Sequence, residues 1–266
     1  MRSLSAAEVL QVWERGQTLA PLERALGLLE AVHPGTPREE IARLPLGQRD
    51  GLLLALRQST FGPRLPIYAE CPRCGDRLEF EADAREILNT SEMAALHNVA
   101  SPNLNGDPSE GVRASPQELE LDGLRLRWRL FDSLDLAAAA RETDPAVARR
   151  VLIERCVLEA RRGEELLPAD RLPEETLLRL AETLAQADPL ADVQFDLTCP
   201  NCGLGWQLAF DIGAFLWAEL QSLARRLLRE VHILAQAYGW PEGLILGLSA
   251  VRRQVYLEMV QSGGRL

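Results

Sequence analysis

Four of the five cysteines in this 266-residue chain form two copies of one device. Cys71-Pro72-Arg73-Cys74-Gly75 and Cys199-Pro200-Asn201-Cys202-Gly203 both read CPxCG. Two thiolates on such a turn bind one metal ion, because glycine lets the backbone fold back and the turn amides can aim at the sulfurs. Two turns together supply a four-cysteine set, the closed tetrahedral arrangement of structural zinc, with no position left for a substrate water. Two separate redox pairs, or an iron–sulfur cluster, are the other chemistries open to these residues. A thioredoxin-type CxxC opens a helix after a strand. Here extended stretches flank each pair: Leu65–Glu70 and Leu78–Phe80 around the first, Val193–Leu197 and Trp206–Phe210 around the second. The pattern puts each CPxCG at a hairpin tip. It favours one shared structural Zn2+ per chain, held by Cys71, Cys74, Cys199 and Cys202.

The separation of the pairs is unusual, since 124 residues lie between Cys74 and Cys199. Ribbon sites commonly have about 15–20 residues there. Loop-closure entropy grows only as the logarithm of length, so the longer loop costs about 2 kcal/mol more. Zinc in small finger sites contributes about 10–16 kcal/mol, and the metal wins. The intervening chain then reads as a subdomain inserted into a split ribbon.

The other chemistry-bearing residues suggest packing. Cys156 sits in the helical apolar pattern Val151–Leu158 and reads as a buried thiol. His33, His97 and His232 are scattered and adjoin neither cysteine pair. There is no P-loop, dinucleotide glycine fingerprint, HExxH or serine–histidine–aspartate signature. The expectation is a protein that is not an enzyme.

The elements that must position the cysteines follow from periodicity. Ser5 and Glu8 have capping-box spacing ahead of a first helix. A second helix runs from Pro21 to Val32, a third reopens at Thr36–Glu39, and a fourth covers Leu46–Leu56. Residues 89–113 are polar and turn-rich, with a loop at Ser101–Pro108. Leu119–Leu121 and Leu124–Leu130 alternate around Asp122-Gly123, a hairpin signal. Ser133 and Asp135 read as caps for helices reaching about Arg162, and another helix spans Pro173–Gln186. After the second knuckle, Ile212, Leu216, Leu220, Leu223, Leu227, Val231 and Leu234 form an amphipathic stripe stopped by Gly239. A short helix follows Pro241, and Ser249 caps the last. The fold class expected is α+β and mostly helical: a split four-cysteine zinc ribbon of two hairpin knuckles with a large inserted subdomain and C-terminal helices. Five regions result: a helical region 1–62, a knuckle 63–88, the insert 89–192, a knuckle 193–211 and a helical module 212–266.

Composition excludes several classes. All 29 basic side chains are arginine, against 39 acids, for a net charge of −10. The missing lysines fit genome-wide compositional drift. The acidic balance opposes general nucleic-acid affinity, which rests on phosphate neutralisation. Arg125, Arg127 and Arg129 nevertheless share one strand face, so a zinc-ribbon nucleic-acid binder stays as an alternative, with a CxxC oxidoreductase behind it. No apolar run reaches the ~18–20 residues of a membrane span, and the N-terminus lacks a signal-peptide core. The expected location is the cytoplasm of the producing cell.

Four segments in order carry a resemblance. They are Ile67-Tyr68-Ala69-Glu70 running into the first CPxCG, Leu124–Leu130 leading to Ser133-Leu134-Asp135-Leu136, Leu152–Cys156, and the second CPxCG. Together they cover roughly Leu65–Trp217. In this order they resemble the baseplate hub assembly chaperone family of T-even-like contractile phages, also present in phage-like contractile injection systems. Tyr238-Gly239-Trp240, Ile245, Leu248, Arg252-Arg253 and Tyr256-Leu257 are similar to a helical module of phage tail and baseplate proteins. The resemblance implies a non-enzymatic chaperone or adaptor working on baseplate, hub or spike proteins. It leaves open whether the protein departs after assembly or stays in the particle, and its oligomeric state.

An assembly protein needs a surface for its partner. The candidate contacts are Phe215 and Leu220 on the stripe, Trp240 and Tyr256 as aromatic anchors, and Arg252 and Arg253 as ion-pair donors. The same stripe can equally be intramolecular core, and the arginines can be solvated.

Overall fold

The computed structural model describes residues 1–89, 116–121 and 123–262. The Ser101–Pro108 loop, His97, the rest of the turn-rich stretch beyond Asn89 and the turn residue Asp122 lie outside the described residues. The fold is α+β and mostly helical, with small antiparallel sheets. It divides into two compact units.

One unit joins Met1–Pro34 to Ile212–Leu266. Helix α1 (Ala6–Gly16) starts with the expected capping box, in which Ser5 Oγ accepts the Glu8 amide and the Glu8 carboxylate accepts the Ser5 amide. Arg2 grips that carboxylate at 2.7 and 2.9 Å and draws its pKa down to about 2. Helix α2 (Pro21–Val32) takes Pro21 at its first turn, where no amide partner is lost. Both pack on the long helix that opens this unit's second segment, Ile212–Tyr238. Its residues Leu216, Leu220, Ala224, Leu227 and Leu234 are buried, each leucine worth roughly 1.5–3 kcal/mol. Gly16 meets Trp217 so closely that an added Cβ would lie 2.2 Å from the ring. Arg24 stacks over the same ring at 4.8 Å. Gly239 at φ +67° ends the long helix. The short helix Glu242–Gly247 and the last helix Ala250–Gln261, capped by Ser249, close around Leu234, Ile245 and Leu257.

The other unit is Gly35–Asp211. The region 1–62 is thus divided between the units after Pro34, while 63–211 falls wholly in this one. Helices α3 (Arg38–Ala42) and α4 (Leu46–Phe61) precede a hairpin of β1 (Arg64–Glu70) and β2 (Arg77–Asp83), followed by α5 (Ala84–Asn89). Alternate residues of β1, Leu65, Ile67 and Ala69, are buried, the period of a half-buried strand. A four-stranded antiparallel sheet then runs in the order β3 (Gln117–Leu121), β4 (Leu124–Trp128), β5 (Val157–Arg162), β6 (Glu165–Leu166). Helices α6 (Ser133–Ala139) and α7 (Pro145–Cys156) lie between β4 and β5 in sequence, and α8 (Glu174–Ala187) follows. Leu124, Leu126, Trp128, Ile153, Cys156, Leu177, Leu180 and Leu184 form its core. The second hairpin, β7 (Gln194–Thr198) with β8 (Gly205–Ala209), ends the unit. In chain order the three helices of the first unit's second segment become α9, α10 and α11.

Two expectations need correction. The helices do not continue to Arg162: the chain leaves α7 at Cys156, and Val157–Arg162 pairs with β4 instead. The sheet supplies hydrogen-bond partners that a helix of those residues would have needed from itself. The cap of α6 is Asp132, not Ser133. Asp132 accepts the amides of Leu134 and Asp135, and Asp135 returns the bond to the Asp132 amide.

Charge is segregated between the units. Gly35–Asp211 carries 31 acids against 20 arginines, whereas the discontinuous unit carries eight against nine.

Candidate metal centre

Each hairpin turns at its cysteines in the same way. In the first, the Cys71 amide bonds Asp76 O and the Gly75 amide bonds Cys71 O, both at 2.9 Å. In the second, the Cys199 amide bonds Leu204 O and the Gly203 amide bonds Cys199 O, both at 2.9 Å. Gly75 and Gly203 take φ values of +71° and +69°, a backbone that side chains with a Cβ resist. The glycine of CPxCG is therefore a geometric requirement of the turn.

The two tips meet. Cys71 Sγ lies 3.6 Å from Cys202 Sγ, and Cys74 Sγ lies 3.6 Å from Cys199 Sγ. All four sulfurs fall within 4.8 Å of one another. A disulfide needs about 2.05 Å, so these are four free thiols. Four thiolates about 2.3 Å from one ion stand about 3.8 Å apart, close to the spacing seen. Cys71 and Cys199 are buried while Cys74 is exposed.

The electrostatics point the same way. Burial opposes ionisation of Cys71, but backbone amides of Cys74 and Arg73 aimed at its sulfur bring it down to about 7. Cys74 receives the Asp76 amide, yet burial and the crowding sulfurs of Cys199, Cys71 and Cys202 push it up to about 12. One thiol ionises readily and a neighbour resists, because thiolates at this spacing repel. A divalent cation at the centre reverses that repulsion. Asn201 Nδ2 reaches across to Cys74 Sγ at 3.9 Å. The donor set fits a metal ion bound by four thiolates.

The hairpins share no backbone pairing among the described residues; side chains join them. Phe80 of β2 meets Phe195 of β7 edge to face at 5.4 Å, and Phe195 meets Phe210 at 5.6 Å. Sequence reasoning missed this cluster, although a signal was present. Ile67 and Phe195 both stand four positions before a first cysteine, and Phe80 and Leu208 six after a second. The registers pair Ile67 with Phe80 and Phe195 with Leu208. Each hairpin thus offers one aromatic and one aliphatic residue at matched places, with the aromatic on opposite strands.

A sequence-family model described as "T4 bacteriophage base plate protein" matches residues 26–217. The chain belongs to the T4 bacteriophage base plate protein family. The matched span includes both knuckles of this base plate family member and all five cysteines. A search of curated proteins and one of solved structures return no match. Helices α10 and α11 lie beyond the family match.

The remaining predicted site residues are scattered in environment. Leu220 is fully buried in the helical unit and is not a free surface. Arg253 is also buried. Its Nε bonds Glu230 at 2.8 Å and its Nη1 bonds the Leu248 carbonyl at 2.8 Å, so an intramolecular acid takes the place foreseen for a partner's. Phe215 is half-buried and Arg252 exposed. Trp240 stacks on Tyr238 at 4.6 Å and meets Tyr256 edge-on at 4.9 Å, with Val251 and Val255 exposed on α11. Of the strand arginines, Arg127 pairs with Glu159, and Arg129 binds the buried Asp135 through two bonds of 2.6 and 2.9 Å. Arg125 stands opposite Glu120. On its other side Arg125 stands opposite Arg161, so carboxylates engage Arg127 and Arg129 while Arg125 has only a facing acid on β3. Cys156 is fully buried, and burial pushes its thiol above the usual range, an inert packing residue. No helix among the described residues is long and apolar enough to cross a membrane.

Proposed function

We propose that this chain is a non-enzymatic assembly chaperone or structural adaptor for the baseplate or hub of a contractile phage tail or phage-like injection system. One structural zinc, bound by Cys71, Cys74, Cys199 and Cys202, closes a split ribbon around the inserted subdomain. The observation that carries this reading is the family match across both knuckles, whose four sulfurs converge on one point. A closed thiolate set serves structure, since it leaves no open position for chemistry. The partners are hub, spike or other baseplate proteins. The half-exposed Tyr238–Trp240–Tyr256 cluster, with Phe215 and Arg252, is the contact surface on the helical unit. The protein works in the cytoplasm of the producing cell, and its presence or absence in purified particles separates a permanent component from a transient chaperone.

Deleting the gene in cells that make the machine tests this. The expected result is loss of complete baseplates, together with recovery of hub, spike or baseplate proteins on the tagged chain. Normal particles after deletion overturn the proposal.

A further inference from the structure

The two knuckle hairpins match at their tips and differ on their outward faces. The β7–β8 face shows Gln194, Asp196, Thr198, Gly205, Gln207 and Ala209, with the Asp196 carboxylate accepting Gln207 Nε2 at 3.1 Å. That face is small, polar and internally bonded. On β1–β2, Tyr68 stands 71% exposed. Glu79 lies directly opposite it, and Glu81 is the next outward residue on the same strand, opposite Pro66. Directly opposed side chains have Cβ atoms about 4.5–5.5 Å apart and diagonal ones about 7–8 Å, so both carboxylates stand on β2 within reach of one side of the ring. At the ends of the hairpin the register sets opposite charges together, Arg64 with Asp83 and Glu70 with Arg77. In the middle it does not. The carboxylates of Glu79 and Glu81 have no ion-pair or hydrogen-bond partner among the described residues.

Strand preference explains a tyrosine on β1. It does not explain two acids at alternate positions of one strand, on the same face about 7 Å apart, where like charges repel. Buried Leu65, Ile67 and Ala69 behind the face hold its backbone in place, so the ring and carboxylates are presented without much further ordering. An arginine or lysine laid over the ring would gain a cation–π contact and the two carboxylates of the adjoining strand.

We propose that Tyr68, Glu79 and Glu81 form a docking face for a basic segment of a partner protein, which seats an arginine or lysine over the Tyr68 ring beside the two carboxylates of β2. That this partner is a baseplate protein rests on the function proposed above; the face itself rests on its own chemistry.

The experiment titrates the full chain with a short, labelled, alternating Gly-Arg peptide and follows anisotropy at low salt. The variants are Tyr68→Thr, which keeps a strand-favouring residue, and the double variant Glu79→Gln/Glu81→Gln. Glu164→Gln/Glu165→Gln makes the same charge change at exposed residues elsewhere in the acidic unit. The expected result is about a tenfold weaker affinity for each of the first two variants and an unchanged affinity for the third. Three results overturn the proposal: no binding to the unaltered chain up to about 1 mM peptide, unchanged binding in the first two variants, or equal weakening in all three. Since the peptide is defined, failure here leaves the assembly phenotype of the gene deletion standing, and the reverse also holds.

Discussion

The Sγ atoms of Cys71 and Cys202 lie 3.6 Å apart although 131 positions separate the residues in the chain. Four free thiols at such spacing crowd one another unless a cation neutralises them. The purified chain is therefore expected to hold one zinc ion per molecule by elemental analysis. Cys71→Ser or Cys199→Ser should abolish stoichiometric zinc and unfold the hairpin unit, because metal binding contributes on the order of 10 kcal/mol in small thiolate sites. Two independent ions per chain, or none, would contradict a shared site.

Phe195 touches aromatic rings on both sides and is the side-chain bridge between hairpins that share no backbone bonds. Phe195→Ala should cost about 2–3 kcal/mol in urea unfolding, less than a fully buried phenylalanine because the ring is half-exposed. The same variant should release zinc to a chelator faster than the unaltered chain. Phe195→Leu should fall between the two.

Asp135 is fully buried and shared by Arg129 and Arg155, the latter at 2.9 Å. Burial opposes its charge, but the hydrogen bonds from Arg129 and Arg155 and the Asp132 amide hold its pKa below the usual range. A depressed carboxylate contributes stability that is present above its unfolded pKa near 4 and lost as pH falls through the folded value. Asp135→Ala leaves two arginines facing each other and should cost about 3–5 kcal/mol at neutral pH. Chemical denaturation of the variant beside the parent measures it.

Asp50 behaves in the opposite sense. Burial outweighs the 2.7 Å pair with Arg49 and, with Asp211 and Asp188 nearby, pushes its pKa up to about 6. A carboxyl raised on folding binds its proton more tightly in the folded state. The resulting stability is fully present below its unfolded pKa near 4 and is lost as pH rises through about 6. Unfolding free energy should show a component of roughly 1–3 kcal/mol declining across that window. Asp50→Asn should remove this component, so the two stability curves diverge between about pH 4 and pH 6.

Local patterns were legible and distant ones were not. CPxCG states its own turn, since the glycine conformation and the cysteine spacing are set within five residues. The long helix Ile212–Tyr238 declares its buried stripe at every third or fourth position, and Ser5, Ser249 and Gly239 mark ends by local hydrogen bonding. Val157–Arg162 reads as helix because what makes it a strand is the unpaired edge of Leu124–Trp128, some thirty positions earlier. The Asp132 cap was overlooked because Ser133 beside it has the same local chemistry; only the returning bond from Asp135 decides between them. The fate of Arg253 was likewise hidden, since Glu230, its partner, stands on another helix.

The distance between the knuckles also sets a clock. A ribosome that has just released Cys74 must add the 124 residues before Cys199, roughly 6–25 s at ordinary elongation rates. Throughout that interval half of the thiolate set exists without its complement. Helices α1 and α2 wait longer still, because α9, the helix they pack on, is made after both knuckles. Synthesis of the last third of the chain therefore completes both units, and a nascent chain halted before Cys199 possesses neither.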